Sequence, residues 1–581
     1  MFLVLVLVVK GGRGRHGGST CAALFPEFIP TTNSIWSRNL TRIAEATTDH
    51  ELSFAFMADM LLIASPHRLQ LGVETLPGRD YEPVKRAIDI AYARYKYVQA
   101  LDLVNTTNKT IDEEQEPPKL QILVMGGSVT AGVRCRELID NPVNLDPKNR
   151  LFLRDFAARL DCAWPNRLQN FINNIMGDVV EVTNAAVRAT DSSVGQTMLE
   201  GEGMNTGMPS HPDIIINAFS TNDVGNVNGT LNIEEFVRYV LRDEQCQKPL
   251  LLHFMDKVGT QNSLVSIVNL FAEKVHTMAK YYGFGSVSYT SVLDDVISAD
   301  SQEYWFKPVG WNTRARNHED IHPQLGMHVV SAWTVGYYLL NLVTTYCSLE
   351  PVMLSNTGIH KSSELQGNQG IPPGKPKNAP SAHKLPPALT SDLTVGQLSE
   401  KWSRINKTQE VDCTTAEDSS SKHCAFFWIS GISNFSPMDT FAPFIVNNTG
   451  WSFVTDHAKL GLVAEGANSK MTLEFRNATH PIRSVMIMAM KSYGDRWNNS
   501  HVLVQAFEFQ QNNETMGYSP LPLASMDIQG FHNSETSVSY KYSIPINIKD
   551  ATPGSTSNGI GLTMELVGGS TAKIMGLSVC S

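Results

Sequence analysis

The sequence predicts an α/β domain with a parallel sheet, followed by a smaller all-β domain. Between residues 119 and 347, short and almost continuously apolar segments alternate with segments of helical character, which is typical of a parallel sheet covered on both faces. Residues 425–581 instead carry short alternating runs separated by Asn, Gly and Pro clusters, as in a β-sandwich. A chain of 581 residues is too long for one core, so two or more domains are expected.

The N-terminal part predicts a targeting segment and a helical extension. Residues 1–18 begin with an apolar run that resembles the core of a secretory signal, although the basic residues follow it instead of preceding it, as a truncated signal or a wrong start codon would give. Residues 19–118 form the predicted extension. Within it, Asp80–Val104 has Pro83 in its first turn and apolar residues at helical spacing, which predicts a helix covering the next domain. Phe54–Ala64 predicts a short buried helix.

The predicted α/β domain spans residues 119–350 and ends in a long apolar helix. Leu325–Tyr346 carries no formal charge apart from a possible proton on His328, and we favour a buried terminal helix over a membrane span because polar residues interrupt it. Helices are also predicted at Trp164–Met176 and Ile233–Leu241. The predicted strands are Leu120–Met125, Val179–Thr183, Asp213–Phe219, Pro249–Met255 and Gly285–Thr290.

The stretch Leu120–Gly132 organises this domain. Its strand is followed by Gly126 and Gly127, which allow a sharp turn, and Ser128 comes next, where a helix is expected to start. Three interpretations compete for this serine: a helix N-cap, part of a phosphate-binding loop, or a nucleophile. No Gly-Lys-Ser/Thr is present, and Thr130 excludes the G-x-S-x-G elbow. A nucleophilic serine must therefore find its base and oxyanion donors elsewhere in the chain.

Three further polar segments follow in order, and each is predicted near the same crevice. One comes after the second strand, one comes after the third strand, and one precedes the terminal helix. Because ligands of parallel sheets bind at the carboxyl ends of the strands, we expect these segments to lie around Ser128. They are VTNAAVRATDSS (Val182–Ser193), STND (Ser220–Asp223) and EDIHP (Glu319–Pro323).

Together the four motifs resemble those of the SGNH (GDSL-type) hydrolase superfamily, over residues 119–347. The resemblance is to a branch with GGS-x-T-A-G in place of Gly-Asp-Ser, so Gly127 stands where many relatives carry Asp. It implies a three-layer α/β/α flavodoxin-like domain that hydrolyses esters.

The chemistry assigns a role to each candidate residue. Ser128 would attack an ester carbonyl, and His322 would take its proton, because a free hydroxyl is a poor nucleophile. The Ser128 N–H and the Asn222 side-chain amide are candidate oxyanion donors. The resemblance adds a backbone N–H at position 189, where the family usually has Gly. Ala189 is expected to keep this role only if its φ is negative.

The acid that orients His322 has two candidates. Relatives usually carry Asp three residues before the histidine; here Glu319 occupies that position, and Asp320 lies two residues before. Register slightly favours Glu319, whereas residue type favours Asp320. The chain lacks His-Glu-x-x-His or a comparable ligand cluster, so we expect no catalytic metal and no cofactor. The remaining candidates, His211, His253 and His328, are interpreted as structural.

The cysteines and the proline-rich segment bear on location and organisation. Eight cysteines without a C-x-x-C motif favour disulfides over zinc, and proximity in sequence predicts the pairs Cys135–Cys162 and Cys413–Cys424. Together with a dense set of Asn-x-Ser/Thr sites, they favour a secreted or lumenal glycoprotein. Residues 351–424 predict a Pro-rich linker. The β-sandwich is therefore expected to target the enzyme without taking part in catalysis.

The sequence thus predicts a secreted serine esterase. Its expected partner is an acyl, chiefly acetyl, ester that is carried by a carbohydrate or a small molecule. The alternatives are an O-acyltransferase using the same serine and a carbohydrate-binding protein that has lost activity. A net charge of −10 without a basic patch argues against a nucleic-acid partner.

Overall fold

The computed structural model describes most of the two predicted domains. The first 63 residues, Glu319, Asp320 and most of the predicted linker lie outside the described residues. The described residues are 64–77, 81–107, 116–133, 135, 162–201, 207–226, 228–242, 248–256, 262–298, 322–323, 325–356, 389, 424–430, 437–456, 459–476, 478, 481–512, 515–518, 522–533, 537–546 and 559–580.

The α/β part alternates strands and helices as the apolar pattern predicts. Helix α3 has the predicted bounds, and each of the five predicted strands is present within about two residues of its expected bounds. The helices are α1 (Pro66–Leu71), α2 (Glu82–Thr107), α3 (Trp164–Met176), α4 (Ser192–Glu200), α5 (Ser220–Asp223), α6 (Gly229–Val240), α7 (Asn262–Tyr282), α8 (Tyr289–Ser298) and α9 (Leu325–Asn356). The strands are β1 (Val73–Thr75), β2 (Leu120–Gly126), β3 (Val180–Asn184), β4 (Ile214–Ala218), β5 (Leu250–Met255) and β6 (Gly285–Ser288).

The sheet has the order β1-β6-β5-β4-β2-β3. Strands β2 to β6 are all parallel, and only β1 is antiparallel, against β6. The parallel strands, numbered by their appearance along the chain, therefore run 2-1-3-4-5, which is the flavodoxin-like order. This confirms the expected fold. The order reverses between β2 and β4, so a crevice is expected outside their carboxyl ends.

Alternation along the buried strands divides the core into two layers. On one face, Ile122 and Val124 pack with Trp164 of α3 and with the apolar side of α9. On the other face, Leu123 and Met125 pack with α4, α6 and α7. Helix α9 is thus a buried terminal helix, as predicted, and no helix among the described residues has the length and apolarity needed to span a membrane. Both β1 and α2 come from the predicted N-terminal extension and join this domain.

The C-terminal part is a β-sandwich, as predicted. One sheet has the order β16-β12-β18-β10-β9, with β7 also paired to β18, and the other has the order β14-β13-β17-β11-β8, with β15 paired to β13. A third apolar cluster fills the space between these antiparallel sheets. The strands are β7 (Cys424–Ile429), β8 (Ile445–Thr449), β9 (Trp451–Asp456), β10 (Lys459–Glu465), β11 (Lys470–Phe475), β12 (Ser484–Lys491), β13 (His501–Asn512), β14 (Thr515–Tyr518), β15 (Ala524–Gln529), β16 (Val538–Pro545), β17 (Ile560–Gly568) and β18 (Thr571–Cys580), with one short helix, α10 (Pro437–Phe441).

The sandwich packs directly on the α/β domain, which differs from the separation expected from the Pro-rich segment. Phe427, Met488 and Met575 belong to the same buried cluster as the α4 and α6 side chains. A Cβ on Gly201, at the end of α4, would overlap the Phe427 ring, so the two domains approach as closely as a glycine allows. Burial of apolar area on both sides stabilises this contact.

The disulfides confirm one predicted pair and correct the other. Cys135 is bonded to Cys162, as expected. Cys424 is bonded to Cys580, so the predicted pair of Cys424 with Cys413 is wrong. The reason is strand pairing: β7 lies beside β18, and the register sets Cys424 directly opposite Cys580. No described cysteine is free.

Candidate active site

The turn after β2 presents Ser128 at the switch point of the sheet. Residues 127–133 form successive hydrogen-bonded turns, in which the Ala131 N–H donates to the Gly127 carbonyl over 3.0 Å and the Val133 N–H donates to the Ser128 carbonyl over 3.0 Å. The Ser128 side chain is almost fully buried, at 8% exposure. Its hydroxyl bonds a histidine across the crevice instead of capping a helix.

The His322 imidazole lies against this serine, as the motif order predicts. Its Nε2 is 2.8 Å from Ser128 Oγ, although 194 residues separate the two along the chain. That distance is within the hydrogen-bonding range that a general base requires. The acid candidates Glu319 and Asp320 lie outside the described residues, so the choice between them stays a prediction.

The two remaining oxyanion candidates flank the serine and share a neighbour, Thr190. The Asn222 Nδ2 amide, in the short helix α5 after β4, donates to the Thr190 carbonyl. This hydrogen bond uses one of the two N–H groups that the amide carries. A Cβ on Gly127 would lie only 2.6 Å from this Nδ2, so the glycine before Ser128 leaves the room that Asn222 occupies.

Ala189 has a φ of +60°, in the left-handed region. The negative φ that was expected of an alanine donor here is therefore not observed: Ala189 adopts the conformation that glycine takes freely, and its donor role stays a prediction. For a residue with a Cβ, this conformation costs roughly 1–2 kcal/mol. Backbone strain of this kind tends to persist at functional sites, where the surroundings fix it.

Two buried carboxylates accept hydrogen bonds from the first residues of α4, just after Ala189 and Thr190. Asp191 caps α4 by accepting from the Val194 N–H, and it also accepts from the Asn226 amide over 2.8 Å. Burial raises its pKa despite these hydrogen bonds. Asp223 accepts from the Ser192 hydroxyl over 2.7 Å. Burial raises the pKa of Asp223 well above its ordinary value, and the negative charge of Asp191 raises that pKa further.

Asp256 is an organising residue that the sequence reasoning missed. It follows β5 directly and is 4% exposed. One carboxylate oxygen accepts from the Ser220 hydroxyl over 2.6 Å and from the Thr221 N–H over 2.9 Å, which fixes the start of α5 and so the position of Asn222. The other oxygen accepts from the Thr130 hydroxyl over 3.4 Å, which ties in the turn after β2. A carboxylate directly after a buried strand was the available signal.

The three histidines interpreted as structural differ in their surroundings. Burial lowers the pKa of both His253 and His328 to about 3, so both imidazoles are neutral at physiological pH. His328 Nδ1 accepts from the Trp164 N–H over 3.3 Å and so joins α9 to α3. His211 is exposed in the loop before β4. Within the described ranges, no group of three His, Cys, Asp or Glu side chains is arranged to hold a metal ion.

Comparison with known proteins gives structural neighbours only. No family model matches the chain, and no curated protein matches it. Among solved structures, the chain is similar to a two-domain esterase active on acetylated mannans, with a TM-score of 0.44 and 14% identity over 88% of this chain and 98% of that one.

Two further neighbours each match a smaller share of this chain. A member of the lipolytic G-D-S-L family from Veillonella parvula matches with a TM-score of 0.24 and 12% identity, over 37% of this chain and 94% of that one. A cellulose-specific carbohydrate-binding module matches with a TM-score of 0.17 and 8% identity, over 22% of this chain and 79% of that one.

Proposed function

We propose that this protein is an SGNH-type serine esterase that hydrolyses acyl esters, with acetyl groups on carbohydrates as the substrate class. The observation that carries the proposal is the 2.8 Å approach of His322 Nε2 to Ser128 Oγ at the switch point of a flavodoxin-like sheet. A hydroxyl held against an imidazole at the ligand-binding edge of such a sheet is an arrangement suited to nucleophilic catalysis.

The reaction then proceeds in two halves. Ser128 Oγ attacks the ester carbonyl carbon while its proton passes to His322 Nε2. The Ser128 N–H, the Ala189 N–H and the Asn222 amide stabilise the oxyanion that forms. His322 returns the proton to the departing alcohol, which leaves an acyl group on Ser128. A water molecule attacks this acyl group, again losing its proton to His322, and the acid is released as the Ser128 hydroxyl is restored.

The carbohydrate part of the proposal rests on the residues beside Ala189 and Thr190, which we call the oxyanion segment. Tyr540 of β16 is half-buried and directly follows Ser539, whose N–H donates to the Ala189 carbonyl just before α4. Burial raises the pKa of Tyr540, and the negative charge of Asp191 raises it further. Lys491 Nζ lies 4.9 Å from the centre of the Tyr540 ring. The ring and its hydroxyl supply apolar and polar surface together, and the Lys491 ammonium over one face adds hydrogen-bond donors beside them, which is a combination that suits a sugar. The disulfides support the secretory route, because such bonds persist in oxidising compartments.

The first experiment measures hydrolysis of p-nitrophenyl acetate by the full chain. Ser128→Ala should lower kcat on the order of 10⁶-fold, as loss of the nucleophile does in serine hydrolases. Ser525→Ala, on the exposed side of β15, is the matched control and should retain turnover. Wild-type turnover by Ser128→Ala overturns the proposal.

A second experiment tests the substrate class. Acetate release from acetylated oligosaccharides is compared with p-nitrophenyl acetate hydrolysis, for wild type and Tyr540→Ala. The variant should raise KM for the oligosaccharide without a comparable rise for the small ester. Equal effects on both substrates contradict a sugar-binding role for Tyr540.

A further inference from the structure

One hydrogen bond joins the β-sandwich to the oxyanion segment. The Ser539 N–H donates to the Ala189 carbonyl over 2.8 Å. Ser539 lies on β16, the edge strand of its sheet, and there it pairs with Met490 of β12. Since the N–H groups of a strand point alternately to its two sides, an N–H directed at Ala189 takes no part in the ladder with β12.

The bond reaches the one residue of this segment whose conformation is unfavourable. Ala189 has a φ of +60°, and three hydrogen bonds hold the backbone around it. The Ala189 carbonyl accepts from the Ser539 N–H, and the Thr190 carbonyl accepts from the Asn222 amide. The Thr190 hydroxyl donates to the Val187 carbonyl over 2.5 Å. Left-handed alanine persists only where the surroundings impose it.

Packing between the domains holds β16 where this bond forms. Ser539 is fully buried at the contact. On the neighbouring strand β12, the Met486 sulfur accepts from the Thr197 hydroxyl of α4 over 2.9 Å. Phe427 of β7 lies against Gly201 at the other end of α4. The sandwich therefore meets α4 along its length, and Ala189 lies just before the start of that helix.

We propose that the edge of β16 is part of the catalytic unit, with the Ser539 backbone amide acting as a positioning group for the oxyanion donor. By holding the Ala189 carbonyl, it keeps this residue in the left-handed conformation that directs the Ala189 N–H into the crevice. The β-sandwich thus completes the oxyanion hole across the domain boundary. This inference rests on the proposed esterase function.

The test removes the N–H while leaving the strand in place. Proline lacks the donor and is tolerated on edge strands, so Ser539→Pro deletes the bond to Ala189 without breaking the β12 ladder. Ser543→Pro is the matched control, because Ser543 is exposed on the same strand and its N–H points to the same side. For p-nitrophenyl acetate, Ser539→Pro should lower kcat roughly 10–100-fold with little change in KM, since a slightly misplaced donor weakens transition-state binding alone. Ser543→Pro should keep wild-type kcat.

Rescue separates positioning from a general loss of structure. Glycine adopts the left-handed conformation without a Cβ penalty, so Ala189→Gly should restore much of the kcat lost in Ser539→Pro. Because this substitution also relieves backbone strain, kcat is measured well below the melting temperature of every variant, where a merely destabilised protein would already have wild-type kcat. Failure of Ala189→Gly to raise kcat in the Ser539→Pro background contradicts the proposal.

Two further comparisons separate a failure of this inference from a folding defect and from a failure of the proposed function. If Ser539→Pro does not fold, residue 539 is replaced by the corresponding α-hydroxy acid, which removes the N–H and leaves the side chain and φ unchanged; kcat should fall to a similar extent. Wild-type kcat with this ester linkage overturns the inference. If Ser128→Ala retains activity, the proposed function itself fails; if Ser128→Ala is inactive and the ester variant has normal kcat, only the role of β16 is wrong.

Discussion

The glycine before the nucleophile offers the sharpest steric test of the site. Gly127 does not have a positive φ, so alanine fits its backbone. An added Cβ would lie 2.6 Å from Asn222 Nδ2, whereas ordinary contacts begin at 3.4 Å. The Asn222 amide must therefore move by about 0.8 Å, and an error of ~1 Å in a catalytic group can cost on the order of 10²-fold. Gly127→Ala should lower kcat by roughly 10–100-fold.

A double-mutant cycle shows whether this loss passes through Asn222. Asn222→Ala alone should lower kcat roughly 10²–10³-fold with a small change in KM, as loss of one oxyanion donor does. If Gly127→Ala acts by displacing that amide, the double variant is no slower than Asn222→Ala. Gly225→Ala is the control, because its Cβ would meet nothing closer than 3.7 Å. Unchanged kcat in Gly127→Ala, or losses that multiply in the double variant, refutes the assigned geometry.

Three more predictions concern the triad acid, the buried carboxylates and the domain contact. Glu319→Gln and Asp320→Asn should differ in kcat by at least roughly tenfold, with Glu319→Gln the slower; the reverse order assigns the orientation of His322 to Asp320. Because the folded-state pKa of Asp223 is raised above its ordinary value of 3.8, its contribution to stability is present at low pH and declines as pH rises from about 4. The melting temperature of Asp223→Asn, measured by scanning fluorimetry, should therefore rise relative to wild type between about pH 4 and pH 7, and a flat difference contradicts the raised pKa. A chain that ends near residue 350 should aggregate or lose turnover, because it exposes the apolar surface that the sandwich covers; a soluble and fully active short chain contradicts this.

Local pattern predicted much of the α/β fold. The strand Asp213–Phe219 was expected from its apolar run and is observed as Ile214–Ala218, because a strand buried on both faces is almost continuously apolar. Strand β1 was missed, since three residues with an acidic centre carry no such signal. Ser128, His322 and Asn222 were singled out because each follows a strand or precedes a helix in a recognisable order, and their catalytic roles stay predictions.

Features that depend on distant pairing could not be predicted. The partner of Cys424 is fixed by the register between β7 and β18, which are 156 residues apart at the bond. The contact of Ser539 with Ala189 likewise depends on how two domains pack. The positive φ of Ala189 follows from that environment and not from its own side chain, which disfavours it. The composition of the Pro-rich segment, residues 351–424, likewise did not indicate that the domains it connects are in direct contact.

Covalent labelling with a fluorophosphonate tests most directly whether Ser128 is the nucleophile. We expect a single adduct on Ser128 Oγ, identified by mapping the labelled peptide, because His322 lies within hydrogen-bonding distance and would activate that hydroxyl. His322→Ala should label far more slowly, and Ser128→Ala should not label at that peptide. An adduct on a different serine, or labelling of Ser128 that proceeds at the wild-type rate without His322, contradicts this assignment.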